Sequence, residues 1–322
     1  MKRIMNIFFR TPVPLPAKDE EFVHDLPSHR LQYRPGGSTL IVSFDNAARV
    51  DKEAYVDRKS WGESFYLREK HSLLGVIARE TDWYRNRKLI RTLEEWAKCG
   101  FFRSFDRVVL TGGSMGGFAA MTFASLVPGC IVIAFSPQST LDPKIALSDN
   151  RFPSSRRYSW RLPYSDAAAN VAAAGKAYII YDNLLHLDRW HVARLPDAEH
   201  IYKLPIPGCG HGGTPVINQI GFFKEITRGM ISGKMEAGRF RRLVRMRRRS
   251  SLYYFTLVDH AEYRGHLSFL PCIRKLASLN LPEIELQELD DRLSLAIKRL
   301  SSLKKSPQSR GRGLVSETSN PS

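Results

Sequence analysis

Apolar and polar positions change their period along the first two thirds of the chain. From Thr39 onward, short runs of β-branched and other apolar residues alternate with longer segments whose apolar residues recur at helical spacing. In residues 82–98, for example, Ile90 and Leu93 fall on one face of a predicted helix. Such alternation is typical of an α/β fold, in which helices flank a mostly parallel sheet. We predict six strands, at residues 39–44, 72–78, 107–111, 130–135, 176–181 and 201–204.

Two stretches depart from this alternation. Residues 137–165 hold prolines, serines and arginines without a regular period, which predicts a lid-like excursion beyond the sheet. Beyond residue 233 the apolar positions recur only at helical spacing, with a break or kink expected at Pro271. We therefore expect three parts: an α/β domain over residues 1–233, an all-helical basic extension over 234–305 and a disordered tail over 306–322.

One motif lies between the third predicted strand and a predicted helix. Residues 112–117 read Gly-Gly-Ser-Met-Gly-Gly and place Ser114 in the pattern Gly-x-Ser-x-Gly. In a sharp strand-to-helix turn, this pattern raises the serine hydroxyl above the sheet, because glycine leaves room for the bend. The alternative is a glycine-rich turn that cradles phosphate, although a dinucleotide-binding fingerprint would lie on the first strand. We therefore expect Ser114 to be a nucleophile.

A serine nucleophile needs a histidine base and an acid that orients the base. His211 lies in the glycine-rich loop after the sixth predicted strand, where its imidazole could reach Ser114. Two aspartates follow the fifth strand. Asp182 comes directly after it, whereas Asp188 begins a helical stretch and could instead be a helix cap. Both stay open as the acid, with Asp182 slightly favoured.

The same region contains residues of metal-ligating types. Their spacing matches no recognised metal site, and a serine motif lies upstream of them. We therefore expect neither a metal nor another cofactor. The four residues are Asp182, His186, Asp188 and His191.

Acyl transfer also needs donors that stabilise the oxyanion of the transition state. The backbone N–H of Met115, at the start of the predicted helix, is one candidate. The loop after the first predicted strand would supply a second donor, at Phe44 or Asn46. The HGGG-type sequence that lipases carry in this loop is absent.

These features resemble the α/β-hydrolase superfamily over about residues 39–213, through GGSMGG at Ser114, the aspartate at 182 or 188, and the loop histidine His211. The resemblance implies an eight-stranded, mostly parallel sheet and a serine nucleophile activated by histidine. Two departures are expected. Tyrosine, aspartate and asparagine at residues 181–183 replace the usual glycine and aspartate, and the front of the sheet is shortened.

Composition adds a strong positive charge to this picture. The 322 residues have a formal net charge of +17 in an otherwise ordinary globular composition, 43% hydrophobic and 25% charged. Residues 234–250 contain eight basic residues and one acidic residue. This segment could dock an acidic surface, but no motif for specific nucleic-acid recognition accompanies it. Within the excursion, we expect Arg156 and Arg157 to bind an anionic or glycan-linked substrate.

Two functions from different classes follow from these observations. The first is a serine hydrolase, meaning an esterase, a thioesterase or an acyltransferase, that works through an acyl-enzyme intermediate on an ester. The second is a non-catalytic, hydrolase-like binding or scaffold protein whose basic helix docks an acidic surface.

The sequence also carries expectations about location. The apolar stretch at residues 4–9 is shorter than a signal peptide requires, and no apolar run approaches the roughly 20 residues of a membrane span. The four cysteines form no CxxC pair, which argues against a disulfide framework or a zinc knuckle. We expect a cytoplasmic protein without a transmembrane segment.

Overall fold

The computed structural model describes residues 17–52, 54–211 and 213–305. The predicted tail and the apolar stretch at residues 4–9 lie outside them. Eight strands form one sheet: β1 (Phe22–Asp25), β2 (His29–Arg34), β3 (Thr39–Phe44), β4 (Ser72–Ala78), β5 (Arg107–Gly113), β6 (Ile131–Phe135), β7 (Lys176–Tyr181) and β8 (Ile201–Pro205). Their order is β1-β2-β4-β3-β5-β6-β7-β8. Only β2 pairs antiparallel, with β1 and β4, whereas the other neighbours are parallel.

Helices flank the sheet and follow it toward the C-terminus. Short 3₁₀ turns lie between several of them. The α-helices are α1 (Ala47–Lys52), α2 (Glu63–Arg68), α3 (Arg87–Lys98), α4 (Met115–Thr122), α5 (Ala167–Asn170), α6 (His186–Ala193), α7 (Thr214–Gln219), α8 (Phe223–Ile231), α9 (Ala237–Val244), α10 (Ser251–Tyr263), α11 (Leu270–Ser278) and α12 (Glu283–Lys305).

The central strands have helices on both faces because their side chains are apolar in both directions. All seven residues of β4 are buried, as are all five of β6. A parallel strand that reads as a continuous apolar run must be covered on both sides. Val42 of β3 packs into a core with α3 and α4, whereas its neighbour Ile41 packs into the opposite core with α8.

The front of the sheet is complete, which corrects the expectation that it is shortened. β1 and β2 form an antiparallel hairpin that joins the edge of β4. Residues of β2 alternate between buried and half-buried, and three of the six are basic or imidazole side chains. A strand that exposes one face in this way lacks the apolar run by which the parallel strands were recognised. The implied eight-stranded, mostly parallel sheet is therefore confirmed.

The basic segment begins as part of the sheet's covering. Phe240 and Val244 of α9 are buried in the same core as Tyr178 and Leu204. The apolar residues of this segment therefore face the sheet, while its arginines lie on the outside. Docking of an acidic surface to those arginines stays a prediction, as does the boundary at residue 233.

The last three helices form a core of their own. Leu289 of α12 packs with residues of α10 and α11. The break between α10 and α11 lies around Gly265, which has φ 68°, rather than at Pro271. Pro271 instead occupies the first turn of α11, where a missing N–H costs nothing. Within the described residues, every helix is too short or too polar to serve as a membrane span.

Candidate active site

Ser114 forms the turn between β5 and α4. Its backbone has φ 50° and ψ −114°, a conformation that costs free energy for any residue with a Cβ atom. Two glycines make the turn possible. A Cβ on Gly112 would lie 2.5 Å from the carbonyl carbon of Gly116, and a Cβ on Gly116 would lie 2.4 Å from the carbonyl oxygen of Phe44. Strand and helix therefore approach so closely that only glycine fits beside the serine.

His211 reaches Ser114 from the loop that follows β8. Its Nε2 atom lies 3.0 Å from the Ser114 hydroxyl oxygen. Its Nδ1 atom lies 2.9 Å from the Oδ2 atom of Asp188. An ionised carboxylate only accepts hydrogen bonds, so Nδ1 carries the imidazole proton and Nε2 is left to accept from the serine hydroxyl. This is the arrangement that a general base next to a nucleophile requires.

The two aspartates that the sequence left open have different partners. Asp188, in the first turn of α6, contacts His211. Asp182 is equally buried, but its carboxylate accepts the backbone N–H groups of Gly208 and Gly210, at 3.0 and 2.8 Å. The geometry therefore favours Asp188 as the partner of the imidazole, against the slight preference for Asp182. Asp182 holds the loop that carries His211.

Arg151, from the excursion, binds the acid directly. Its Nη1 atom donates to Oδ1 of Asp188 at 2.7 Å, and its Nη2 atom donates to Oδ2 of Asp149 at 2.8 Å. Burial alone would raise the pKa of Asp188, but the hydrogen bond from His211 and the charge of Arg151 lower it below its ordinary value. Asp188 is therefore held as a carboxylate.

Asp149 belongs to a second buried pair, with His191. The two are 2.9 Å apart, between His191 Nε2 and Asp149 Oδ2. The backbone N–H of Ser139 donates to Nδ1 of His191 at 3.1 Å, so Nε2 carries the proton. Burial would raise the pKa of Asp149, but His191 and Arg151 hold it well below its usual range. The pair holds Arg151 through Asp149, and Arg151 in turn contacts Asp188.

These lowered pKa values predict a loss of stability in acid. A carboxylate whose pKa is depressed by folding contributes stability above its unfolded pKa, near 3.8 for both aspartates, and loses it as the pH falls through the folded value. The free energy of unfolding in urea should therefore be flat above about pH 5 and should fall below about pH 4. Asp149→Asn should flatten that fall, whereas the same change at exposed Asp106 should not. Equal pH profiles for the two variants would contradict this assignment.

The expected oxyanion donors lie close to Ser114. α4 begins at Met115, and its first intrahelical hydrogen bond runs from the N–H of Phe118 to the carbonyl of Ser114, so the N–H of Met115 precedes the helical ladder. The Asn46 side chain lies beside the turn, with Nδ2 4.0 Å from where a Cβ on Gly113 would be. Phe44 ends β3, and its carbonyl oxygen faces Gly116.

Gln138 is a neighbour of the serine that the sequence analysis missed. It is fully buried, and its Oε1 atom lies 3.4 Å from the Ser114 hydroxyl oxygen. Its Nε2 atom has no hydrogen-bond partner among the described residues. Leaving a buried donor unpaired costs free energy, so such a group next to a nucleophile points to a ligand. The one sequence signal for Gln138 is its position just after the carboxyl end of β6, where catalytic side chains of parallel sheets gather.

A cavity of about 460 Å³ opens beside His211. Its lining includes Leu185 and the first residues of α6, together with Tyr263 and further residues of α10. Arg151 lines this cavity. Arg156 and Arg157 are absent from the described residues that line it. Arg156 instead donates to Asn150 on the surface, at 3.0 Å. The expected anion-binding role of these two arginines therefore gains no support from their position.

The metal-type residues do not converge. Asp188 and His191 are engaged with His211 and Asp149, and Asp182 binds backbone N–H groups. Over residues 17–52, 54–211 and 213–305, no three histidine, cysteine or acidic side chains are grouped as metal ligands would be.

No protein-family model matches the chain, and no curated protein matches it. Among solved structures it is similar to the capsule O-acetyltransferase of Neisseria meningitidis serogroup A, at 17% identity and a TM-score of 0.45, over 70% of this chain and 97% of that chain. It is similar to the fluorophosphonate-binding serine hydrolase F of Staphylococcus aureus, at 13% identity and a TM-score of 0.40, over 66% and 97%. It is also similar to the S-formylglutathione hydrolase of Staphylococcus aureus, at 13% identity and a TM-score of 0.40, over 68% of this chain and 100% of that chain.

At these identities and scores, the likenesses do not bear on substrate or activity. The chain's own features are more specific, namely its eight-stranded sheet with an antiparallel front and the strand-to-helix turn at Ser114. On those features, the chain has the α/β-hydrolase fold.

Proposed function

We propose that this protein is a serine hydrolase or acyltransferase that works through an acyl-enzyme intermediate. The observation that carries the proposal is the continuous chain of contacts from Ser114 Oγ to His211 Nε2 and from His211 Nδ1 to Asp188, at 3.0 and 2.9 Å. Nucleophile, base and orienting acid are thus within hydrogen-bonding distance before any substrate binds.

In the proposed reaction, the roles follow the contacts between these residues. Ser114 Oγ attacks the carbonyl carbon of an ester or thioester while its proton passes to His211 Nε2. The imidazolium that forms is stabilised by the Asp188 carboxylate, and Arg151 keeps that carboxylate ionised and oriented. His211 then returns the proton to the departing alcohol or thiol. Water or an acceptor hydroxyl completes hydrolysis or transfer by attacking the acyl-enzyme, with His211 again as base.

The proposal includes two donors that stabilise the oxyanion. The N–H of Met115 follows the nucleophile directly, as in other strand-to-helix turns of this kind. The second donor in our proposal is Nε2 of Gln138, because it is buried, unpaired among the described residues and carried by the amide that contacts Ser114. Asn46, whose Nδ2 atom lies 4.0 Å from where a Cβ on Gly113 would be, is the alternative second donor.

Substitution of Gln138 separates these donors. Gln138→Leu should lower kcat by about 10²-fold with a small change in KM, because an oxyanion donor acts mainly in the transition state. Asn46→Leu should then cost less than tenfold. Steady-state kinetics on an aryl ester, with thermal unfolding to check the fold, measures both. The opposite ranking of the two variants would assign the second donor to Asn46.

The function itself is tested with the wild-type protein. It should hydrolyse a short-chain aryl acetate, with an initial burst of released phenol as the acyl-enzyme accumulates. A fluorophosphonate should abolish that turnover at one label per chain. A non-catalytic scaffold would show neither turnover nor labelling.

A further inference from the structure

A second cleft opens near the carboxyl ends of the strands, where Ser114 also lies. It has a volume of about 530 Å³, within the range of pockets that hold small molecules. Trp61 forms part of its wall, and the carbonyl of Trp61 accepts the hydroxyl of Ser43 near the carboxyl end of β3. The Trp61 ring also lies 5.7 Å from the ring of Phe135, whose carbonyl accepts the backbone N–H of Ser114. The cleft is therefore a neighbour of the nucleophile, but is separate from the cavity beside His211.

Three cations line this cleft without a close ion pair within the described part of the chain, although the charge of Lys224 helps to lower the pKa of Glu69. Lys59, Arg68 and Lys224 are exposed side chains that line it. Among the described residues, none of the three forms an ion pair with a carboxylate.

The carboxylates around the cleft are already engaged. Glu63, which also lines it, is buried and accepts the backbone N–H and the hydroxyl of Ser60. Glu69 forms a two-pronged ion pair with Arg228, with both contacts at 2.7 Å. The cleft is therefore a concave surface lined by more cations than carboxylates, which favours an anionic ligand.

Three aromatic residues line the same cleft. Phe65 and Phe223 are half-buried and meet edge to face, with ring centroids 5.7 Å apart. Trp61 is also half-buried and lines the cleft. Partly exposed rings provide a stacking surface for a flat aromatic group, and cations beside them bind phosphate.

We propose that this cleft binds a nucleotide, that is, an aromatic base carrying two or more phosphates. The base stacks on Trp61, and the phosphates bind Lys59, Arg68 and Lys224. The proposal goes beyond the acyl transfer described above and does not depend on it.

Titration calorimetry of the Ser114→Ala variant with ADP tests the proposal without any catalytic step. ADP should bind at one site, and inorganic pyrophosphate and adenosine should each bind at least about tenfold more weakly, because each carries only half of the recognised chemistry. The double variant Arg68→Gln/Lys224→Gln should weaken ADP binding by about tenfold. The matched variant Arg156→Gln/Arg157→Gln removes the same charge away from the cleft and should leave binding unchanged.

Trp61→Leu distinguishes a nucleotide site from a simple anion site. It should weaken ADP about tenfold and leave pyrophosphate unaffected, because only the base stacks on the ring. If ADP binds no more tightly than pyrophosphate, or if Arg156→Gln/Arg157→Gln weakens it equally, the proposal is wrong. Absence of ADP binding would also overturn it, whereas loss of aryl esterase activity alone would bear only on the proposed function.

Discussion

Replacing Ser114 by alanine is expected to lower kcat for an aryl ester by about 10⁶-fold, the scale of loss when a serine nucleophile is removed from its triad. The change deletes one oxygen atom and keeps the Cβ atom, so the strained turn between β5 and α4 stays as it is. The free energy of unfolding should therefore change by less than about 1 kcal/mol. Kinetics of ester turnover together with urea unfolding measure both quantities.

Ser278→Ala is the matched control for this variant. Ser278 is exposed on α11, and its hydroxyl donates to the carbonyl of Lys275 within its own helix. Ser278→Ala should leave kcat unchanged within about twofold, since substitutions on the surface and away from the active site usually have small effects. A Ser114→Ala variant that keeps a tenth or more of wild-type kcat, with an intact fold, would remove Ser114 from the mechanism.

Replacing Asp188 by asparagine is expected to lower kcat by about 10⁴-fold with little change in KM. An asparagine amide can present its N–H to Nδ1 of His211, which shifts the imidazole proton to Nε2 and blocks acceptance of the Ser114 proton. The pH dependence of kcat checks this reason, because the rate should recover little at any pH when the tautomer is wrong.

Asp182→Asn is the contrasting variant. Asp182 accepts the backbone N–H groups of Leu184, Gly208 and Gly210 and does not contact the imidazole of His211, so the change should weaken three charge-assisted hydrogen bonds. We expect a loss of about 1–3 kcal/mol in the free energy of unfolding and a much smaller loss of kcat than for Asp188→Asn. If Asp182→Asn abolishes turnover and Asp188→Asn does not, the acid is Asp182.

The sequence predicted the parallel strands and the serine turn because both are local patterns. A buried parallel strand is a continuous apolar run, and all six predicted strands lie within about two residues of the observed ones. The glycines around Ser114 are required by contacts within a single turn. The antiparallel hairpin of β1 and β2 gave no such signal, because its polar and apolar residues are mixed and form no continuous apolar run.

The choice between the two aspartates could not be made from the sequence. Asp182 comes directly after β7, where catalytic side chains gather in parallel sheets. Asp188 lies in the first turn of α6, and helical side chains lean toward the N-terminus of their helix, which carries this carboxylate back to the loop of His211. Only the course of the segment between them decides which carboxylate meets the imidazole.

Arg151 and Gln138 could not have been found for a related reason. Both come from the irregular excursion after β6, and each reaches the site through contacts distant in sequence, such as that of Arg151 with Asp188. Arg156 and Arg157 belong to the same basic segment, but they do not line the cavity beside His211. Charge along the chain identified the segment, and only its path in space identified the residue.

Locating the covalent label left by a fluorophosphonate tests directly whether Ser114 is the nucleophile. The wild-type protein is labelled, digested and mapped by peptide mass spectrometry, beside Ser114→Ala and Ser278→Ala. The account predicts a single label on Ser114, present in Ser278→Ala and absent from Ser114→Ala. A label on another residue, or equal labelling of Ser114→Ala, would contradict it.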